Sequence, residues 1–196
     1  MTHAHPIALT LAALLLSGCS AQLGSGAGFG GALDRAPIHF THSNHIAATT
    51  IIRPFPGRPG GALLGAELES RHEAHLGTRW TTGLQLGYGE LPDQVPGSTA
   101  FELRADIGAV IGDGALFPDG AWYAGGTAAY VIWLWPRREL LDVNNDQWPV
   151  SNGLELVIYG RERIYFDQPG GGAGVAPRYD TGLGLALRMR LLSDLL

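Results

Sequence analysis

The chain contains no lysine. All 13 basic residues are arginine, and they face 18 acidic ones for a formal net charge of −5. A nucleic-acid binder needs a basic face, so no nucleic-acid partner is expected. There is a single cysteine, Cys19, so no internal disulfide can form and stability must come from core and sheet. No apolar run approaches the roughly 20 residues of a membrane-crossing helix. The longest, from Ile7 to Leu16, is interrupted only by Thr10 and has the length of the apolar part of an export signal. No Gly-x-Ser-x-Gly elbow occurs. The glycine-rich stretch from Gly170 to Gly174 is followed by neither a lysine nor a helical pattern, which speaks against a phosphate loop.

Glycine, by contrast, is abundant at 29 of 196 residues, roughly twice the usual ~7%. Aromatics and leucine are spread among the glycines, so the composition is that of a β protein rather than of disorder. From about residue 36 onward apolar residues alternate instead of recurring at helical spacing. Trp80, Thr82, Leu84, Leu86 and Tyr88 form one face of 78–89. Phe101, Leu103, Ala105, Ile107, Ala109 and Ile111 do so in 100–112, with Glu102, Arg104 and Asp106 opposite. Leu183, Leu185, Leu187, Met189 and Leu191 do so in 180–192, with Gly182, Gly184, Arg188 and Arg190 opposite. A shorter run, 63–71, sets Leu64, Ala66 and Leu68 against Gly65, Glu67, Glu69 and Arg71.

Two longer runs, 121–135 and 151–166, have apolar residues on both faces; the second carries Glu155, Arg161 and Arg163. Upstream, 37–42 and 46–53 flank Ser43-Asn44 and read as a hairpin. Ala21 to Gly31 reads as a flexible Gly/Ser tether. Turn signals such as Pro96-Gly97, Asp113-Gly114 and Pro118-Asp119-Gly120 separate the runs. The expected fold is all-β: an antiparallel up-and-down barrel of about eight strands, whose closure removes sheet edges.

Which face points inward decides the rest. The non-apolar face mixes glycine with opposite charges, as the interior of a small membrane-spanning barrel requires. Trp122 and Tyr123 near one end of a run, with Trp133 and Trp135 near the other, suit the aromatic girdles of such a barrel. Loop lengths point the other way. With both termini on one side, 54–61, 91–99 and 136–150 share that side and none is short. A soluble barrel would instead turn Leu84, Leu86, Leu103, Ile107, Leu154, Leu156, Leu185 and Leu187 inward around an apolar, lipid-like ligand. Both arrangements stay open at the level of sequence.

Few residues suggest chemistry. His39, His42 and His45 fall at every third position and converge only if the segment turns. His72 and His75 lie near a turn. Asp142, Asn144 and Asp146 begin like a calcium loop, but Gln147 stands where the glycine belongs and Gly153 where the bidentate glutamate belongs. No metal site and no cofactor are expected. Ser70 and His72 share a strand face and are the only catalytic candidates, without a third group to orient them.

Leu16-Ser17-Gly18-Cys19, directly after the apolar run, resembles the lipobox of bacterial lipoproteins. The six residues ahead of the run carry no Lys or Arg, a departure from the usual signal. The resemblance implies a signal peptide over 1–18, a lipidated Cys19 carrying palmitate-type acyl chains, a tether over 19–35 and a barrel domain over 36–196. Because Ser20, not Asp, follows the cysteine, it implies the outer membrane as destination. Asp180-Thr181-Gly182-Leu183-Gly184-Leu185-Ala186-Leu187 is similar to the assembly signal of outer-membrane barrels, although the chain ends on Leu196 rather than on an aromatic. The whole pattern resembles small OmpA/OmpX-type barrels. Three functions follow as expectations: a non-enzymatic, lipid-anchored envelope barrel with a structural or interaction role; a soluble periplasm-facing barrel binding an apolar ligand; and a lipid-modifying enzyme using Ser70 and His72.

Overall fold

A computed structural model describes residues 19–32, 38–52, 60–73, 77–90, 95–111, 120–143, 146–166 and 178–193. They form eight strands: β1 (Cys19–Ala32), β2 (His39–Ile52), β3 (Gly60–Glu73), β4 (Gly77–Glu90), β5 (Thr99–Ile111), β6 (Trp122–Val143), β7 (Asp146–Phe166) and β8 (Arg178–Ser193). Each pairs antiparallel with its neighbour in sequence, and β8 pairs with β1 to close the barrel. The proposed signal segment, 1–18, lies outside the described residues.

The strand number is the expected eight, but two assignments differ. Ala21 to Gly31 is not a tether; it lies within β1, hydrogen-bonded to β2 on one side and β8 on the other. Ser43-Asn44 is not a turn; it sits in the middle of β2, opposite Gly26 and Ser25 of β1. One missed strand and one strand divided in two leave the count unchanged. The physical reason lies in what the glycines of β1 do. Gly24, Gly26, Gly28 and Gly30 all point into the barrel while Ala21, Leu23, Ser25, Ala27 and Phe29 point out. A Cβ on Gly24 would lie 2.1 Å from His45, and one on Gly30 would lie 2.2 Å from the Arg71 guanidinium. Gly24 and Gly30 thus make room for side chains from other strands, and Gly28 for the close approach of the β8 backbone at Leu183, rather than loosening the chain.

Both termini of the described barrel lie at one rim, where Ser20 pairs with Leu192. This terminal rim also carries the connections 53–59, 91–98 and 144–145; the distal rim carries 33–38, 74–76, 112–121 and 167–177. The segment 136–150, expected as a long loop, is mostly a continuation of β6 and β7, paired from Pro136↔Gly153 to Val143↔Asp146. The longest intervals between strands, 112–121 and 167–177, therefore fall on the distal rim, while 53–59 and 91–98 on the terminal rim still exceed 74–76, so the conflict over loop lengths is reduced rather than removed.

Polarity is inverted relative to a water-soluble core. Leu103 and Leu185 each keep 53% of their surface exposed on the outside, and Leu84, Leu86, Ile107 and Leu187 stand beside them. Leu154 and Leu156 lie on the same outer face, half-buried. The apolar, ligand-holding lumen expected for a soluble barrel is thus overturned: the leucines that would line it project outward. Arg163, Arg188, Arg190, Glu102 and Glu155 are buried inside instead. Exposed aromatics ring the outer wall at both ends. Phe29, Phe40, Trp80, Trp122, Phe166 and Tyr179 are near the distal rim, and Tyr88, Phe101, Tyr130 and Trp135 are nearer the terminal rim. Along β4, Trp80 and Tyr88 are separated by roughly 20 Å along the barrel axis at a rise of ~3.3 Å per residue and a tilt of about 40°.

Two of the four aromatics assigned to girdles behave differently. Tyr123 and Trp133 point inward and are fully buried. A register shift between Trp133 and Trp135 turns Trp135 outward, although the two are two positions apart, a spacing that otherwise keeps side chains on one face. Inside, Tyr123 lies over the opposed pair Gly83 and Gly108; a Cβ on Gly83 would meet its hydroxyl at 2.4 Å and one on Gly108 its ring at 2.7 Å. Gly153 makes the same kind of space for Trp133.

Candidate functional site: the charged barrel interior

The inward positions of β3, β4, β5, β7 and β8 converge on the barrel axis, and at eight strands the space there is just wide enough for side chains. They form two ion clusters. In the one nearer the distal rim, Arg163 donates from Nε to Asp106 at 2.6 Å, from Nη1 to Glu69 at 2.8 Å and from Nη2 to Glu67 at 2.6 Å. Its guanidinium also stacks 4.4 Å from the Tyr123 ring centre. Arg161 donates to both oxygens of Glu69 at 2.7 and 2.6 Å. Asp180 receives Arg71 at 2.8 Å and Arg79 at 2.5 Å. Gln85 donates to Glu67 at 2.5 Å.

In the cluster nearer the terminal rim, Arg188 grips Glu102 with both Nη atoms at 3.0 and 2.8 Å and donates from Nε to Glu155 at 2.5 Å. Arg190 also donates to Glu102 and lies 2.9 Å from Glu155. Gln22 accepts from Arg188 at 3.3 Å and donates to Thr49 at 2.9 Å, and Ser20 and Thr49 share a hydrogen bond of 2.7 Å. Trp133, Val131, Val157, Ala100, Ala129 and Ala186 pack an apolar plug beside this cluster. Val110, Ala121, Tyr123 and Tyr165 form a second plug toward the distal rim.

Multidentate arginine–carboxylate geometry of this kind is the arrangement in which buried charges are tolerated. It also explains the absence of lysine inside the lumen: a planar guanidinium can serve three carboxylates at once, whereas an ammonium is a point charge. The interior is therefore filled. Between the clusters lies a cavity of about 50 Å³, lined by His45, Glu67, Arg104, Thr127, Arg161 and Arg188 among others. Small-molecule sites usually enclose roughly 300–1,000 Å³, and this space is far smaller.

The sequence candidates for chemistry are not brought together. Ser70 and His72 both face outward on β3. His72 is engaged through Nδ1 with Thr78 at 3.0 Å. Neither touches the ion clusters. His42 faces outward and His45 faces the lumen, so the histidines at 39, 42 and 45 do not converge as a set. His75, Asn144 and 170–174 lie outside the described residues. Asp142 pairs with Gln147 across the β6–β7 ribbon, a regular ladder position rather than a loop. Among the described residues no group of three or more His, Cys, Asp or Glu has the spacing to hold a metal ion.

Sequence reasoning identified the charged face but missed Arg79, Asp180, Gln22 and Gln85 as members of the network. Arg79 and Asp180 sit at strand ends, where alternation has too few residues to be felt. Their parity with Thr81 and Gly182 was the available signal. No family model matches the chain, and neither a curated protein nor a solved structure is significantly similar to it.

Proposed function

We propose that the chain is a lipid-anchored β-barrel of the bacterial outer membrane, with a non-enzymatic structural or interaction role in the envelope. One observation carries this reading: the same strands turn leucine and aromatic residues outward and seal arginine and carboxylate inside. An eight-stranded wall of mostly leucine and other apolar residues between aromatic rings, interrupted on β1–β3 by Ser25, Asn44 and Ser70, is an apolar surface far beyond what soluble monomers tolerate. Hydrocarbon solvates it, and a closed barrel is the one β architecture that leaves no backbone polar group facing lipid. The filled lumen supports a role in the wall itself or in contacts made at the rims, rather than transport.

The anchor rests on Leu16-Ser17-Gly18-Cys19 and gains support from the start of β1. Cys19 is opposite Thr50 at the terminal rim, and Ala21, two positions on, is already part of the apolar wall. Acyl chains on Cys19 would enter the leaflet directly beside the barrel, with no spacer.

The test is a Cys19→Ala variant still exported by its signal. It should lose metabolic labelling with palmitate, remain in the membrane after carbonate washing, and keep a gel mobility that changes on heating. Release as a soluble monomer would end the spanning reading. Palmitate labelling that survives the substitution would end the anchor.

A further inference from the structure

The two ion clusters differ in balance. Toward the distal rim four guanidiniums (Arg71, Arg79, Arg161, Arg163) meet four carboxylates (Glu67, Glu69, Asp106, Asp180). Toward the terminal rim Glu102 and Glu155 already hold Arg188 and Arg190 between them, each carboxylate touching both. Arg104 is a third guanidinium in this second cluster. It reaches only Gln85, at 3.3 Å, and comes no closer than 3.9 Å to Glu102. Its Nε is buried without a hydrogen-bond partner, and its side chain is 11% exposed.

A buried charge without a counter-charge is costly, and most ionisable groups respond by becoming neutral. Arginine cannot, because its proton does not leave under any ordinary condition. Among the described residues the one carboxylate within 4.0 Å of Arg104 is Glu102, which Arg188 and Arg190 already engage, so the surplus calls for a partner that is not one of these carboxylates. Beside this guanidinium is the cavity of about 50 Å³, which Arg104 lines together with His45, Thr127 and Arg188; Glu67 and Glu69 also border it, each already paired with Arg161 or Arg163, which line it too. One water needs roughly 10–15 Å³ measured this way. The space thus accommodates a small ion with a few waters and excludes sugars, nucleotides and acyl chains.

We propose that this mid-lumen cavity binds a small monovalent inorganic anion of the halide class as the counter-ion of Arg104. The Arg104 guanidinium supplies the charge, and the Thr127 hydroxyl and the His45 ring supply neutral donors. The site is internal, so it stabilises the folded barrel instead of serving exchange across it. It does not depend on whether the outer wall meets lipid.

The purified full-length barrel in detergent is unfolded thermally in sodium chloride, in sodium bromide and in sodium gluconate at equal ionic strength, gluconate being too large for the cavity. The expected result is a saturable rise of several degrees in the midpoint with chloride or bromide and none with gluconate. Arg104→Gln, which removes the surplus charge, should abolish the halide response; Arg104→Lys, which keeps it, should retain a response. Crystals grown in bromide should give an anomalous peak beside Arg104. Equal midpoints in chloride and gluconate, a halide response that survives in Arg104→Gln, or a cavity holding only water in bromide-grown crystals would each overturn the proposal.

Discussion

The outer and inner faces of this barrel are built from alternate residues of the same strands, yet they obey different rules. Outside, Leu84, Leu86, Leu103, Ile107, Leu183, Leu185 and Leu187 present methyl groups to a fluid or a solvent. Any apolar residue serves there, because nothing rigid has to match. Inside, each side chain answers a specific partner on another strand: Arg188 to Glu102 and Glu155, Arg163 to Glu67, Glu69 and Asp106, Tyr123 to the gap over Gly83 and Gly108. A two-residue period thus separates an interchangeable surface from a fitted one.

The sharpest way to test this contrast is to remove one member of the inner network. Glu102→Ala leaves Arg188 and Arg190 sharing a single carboxylate and should destabilise the barrel by about 3–5 kcal/mol, read as a shift of the urea unfolding curve by tryptophan fluorescence. An equal loss from Leu103→Ala, its outward neighbour, would erase the distinction between the faces. Second, Leu185→Arg puts a charge on the outer wall. It should cost about 2–4 kcal/mol in phospholipid vesicles if the wall meets hydrocarbon near the midplane. A change within about 0.5 kcal/mol, the usual surface value, would fit a wall that meets water. Third, Gly108→Val brings a Cβ against the Thr82 carbonyl of β4 and the Tyr123 ring and should cost about 1–3 kcal/mol by overpacking, measured by the same unfolding curves. Gly126, near which only a carbonyl oxygen at 3.5 Å would meet a Cβ, should tolerate alanine far better. Last, Ser70→Ala and His72→Ala, both on the outer face, should each change stability by no more than about 0.5 kcal/mol and leave the lipid profile of the host membrane unaltered. A changed profile would revive the enzymatic reading.

Much of the wall was legible in the sequence because alternation is a local signal. Phe101 to Ile111 and Leu183 to Leu191 display it with hardly a fault, and their strands match expectation to within a few residues. β1 was not legible for the opposite reason. Its inward glycines are meaningful only against what arrives from other strands, His45 at Gly24, Arg71 at Gly30 and the β8 backbone at Gly28, and a single chain segment contains no trace of them. Ser43-Asn44 was mistaken for a turn because both residues favour turns when alone; the ladder to β1 and β3 overrides that preference. The charged face could be read as a set, but its pairings could not. Arg71 and Asp180 are 109 residues apart, and only barrel closure brings them to 2.8 Å.

The seam between β1 and β8 carries a consequence for the order of assembly. Gln22 and Arg188, which meet across it, are 166 residues apart. Pairing at such separation is slow, so β1 has one edge open for as long as β8 is absent. An open edge is a template for the wrong partner. On the proposed lipidation, Cys19 would hold β1 at the bilayer surface during that interval and present its edge to the membrane rather than to another chain. The acyl group would then guide the route to the closed barrel more than it would retain the finished one.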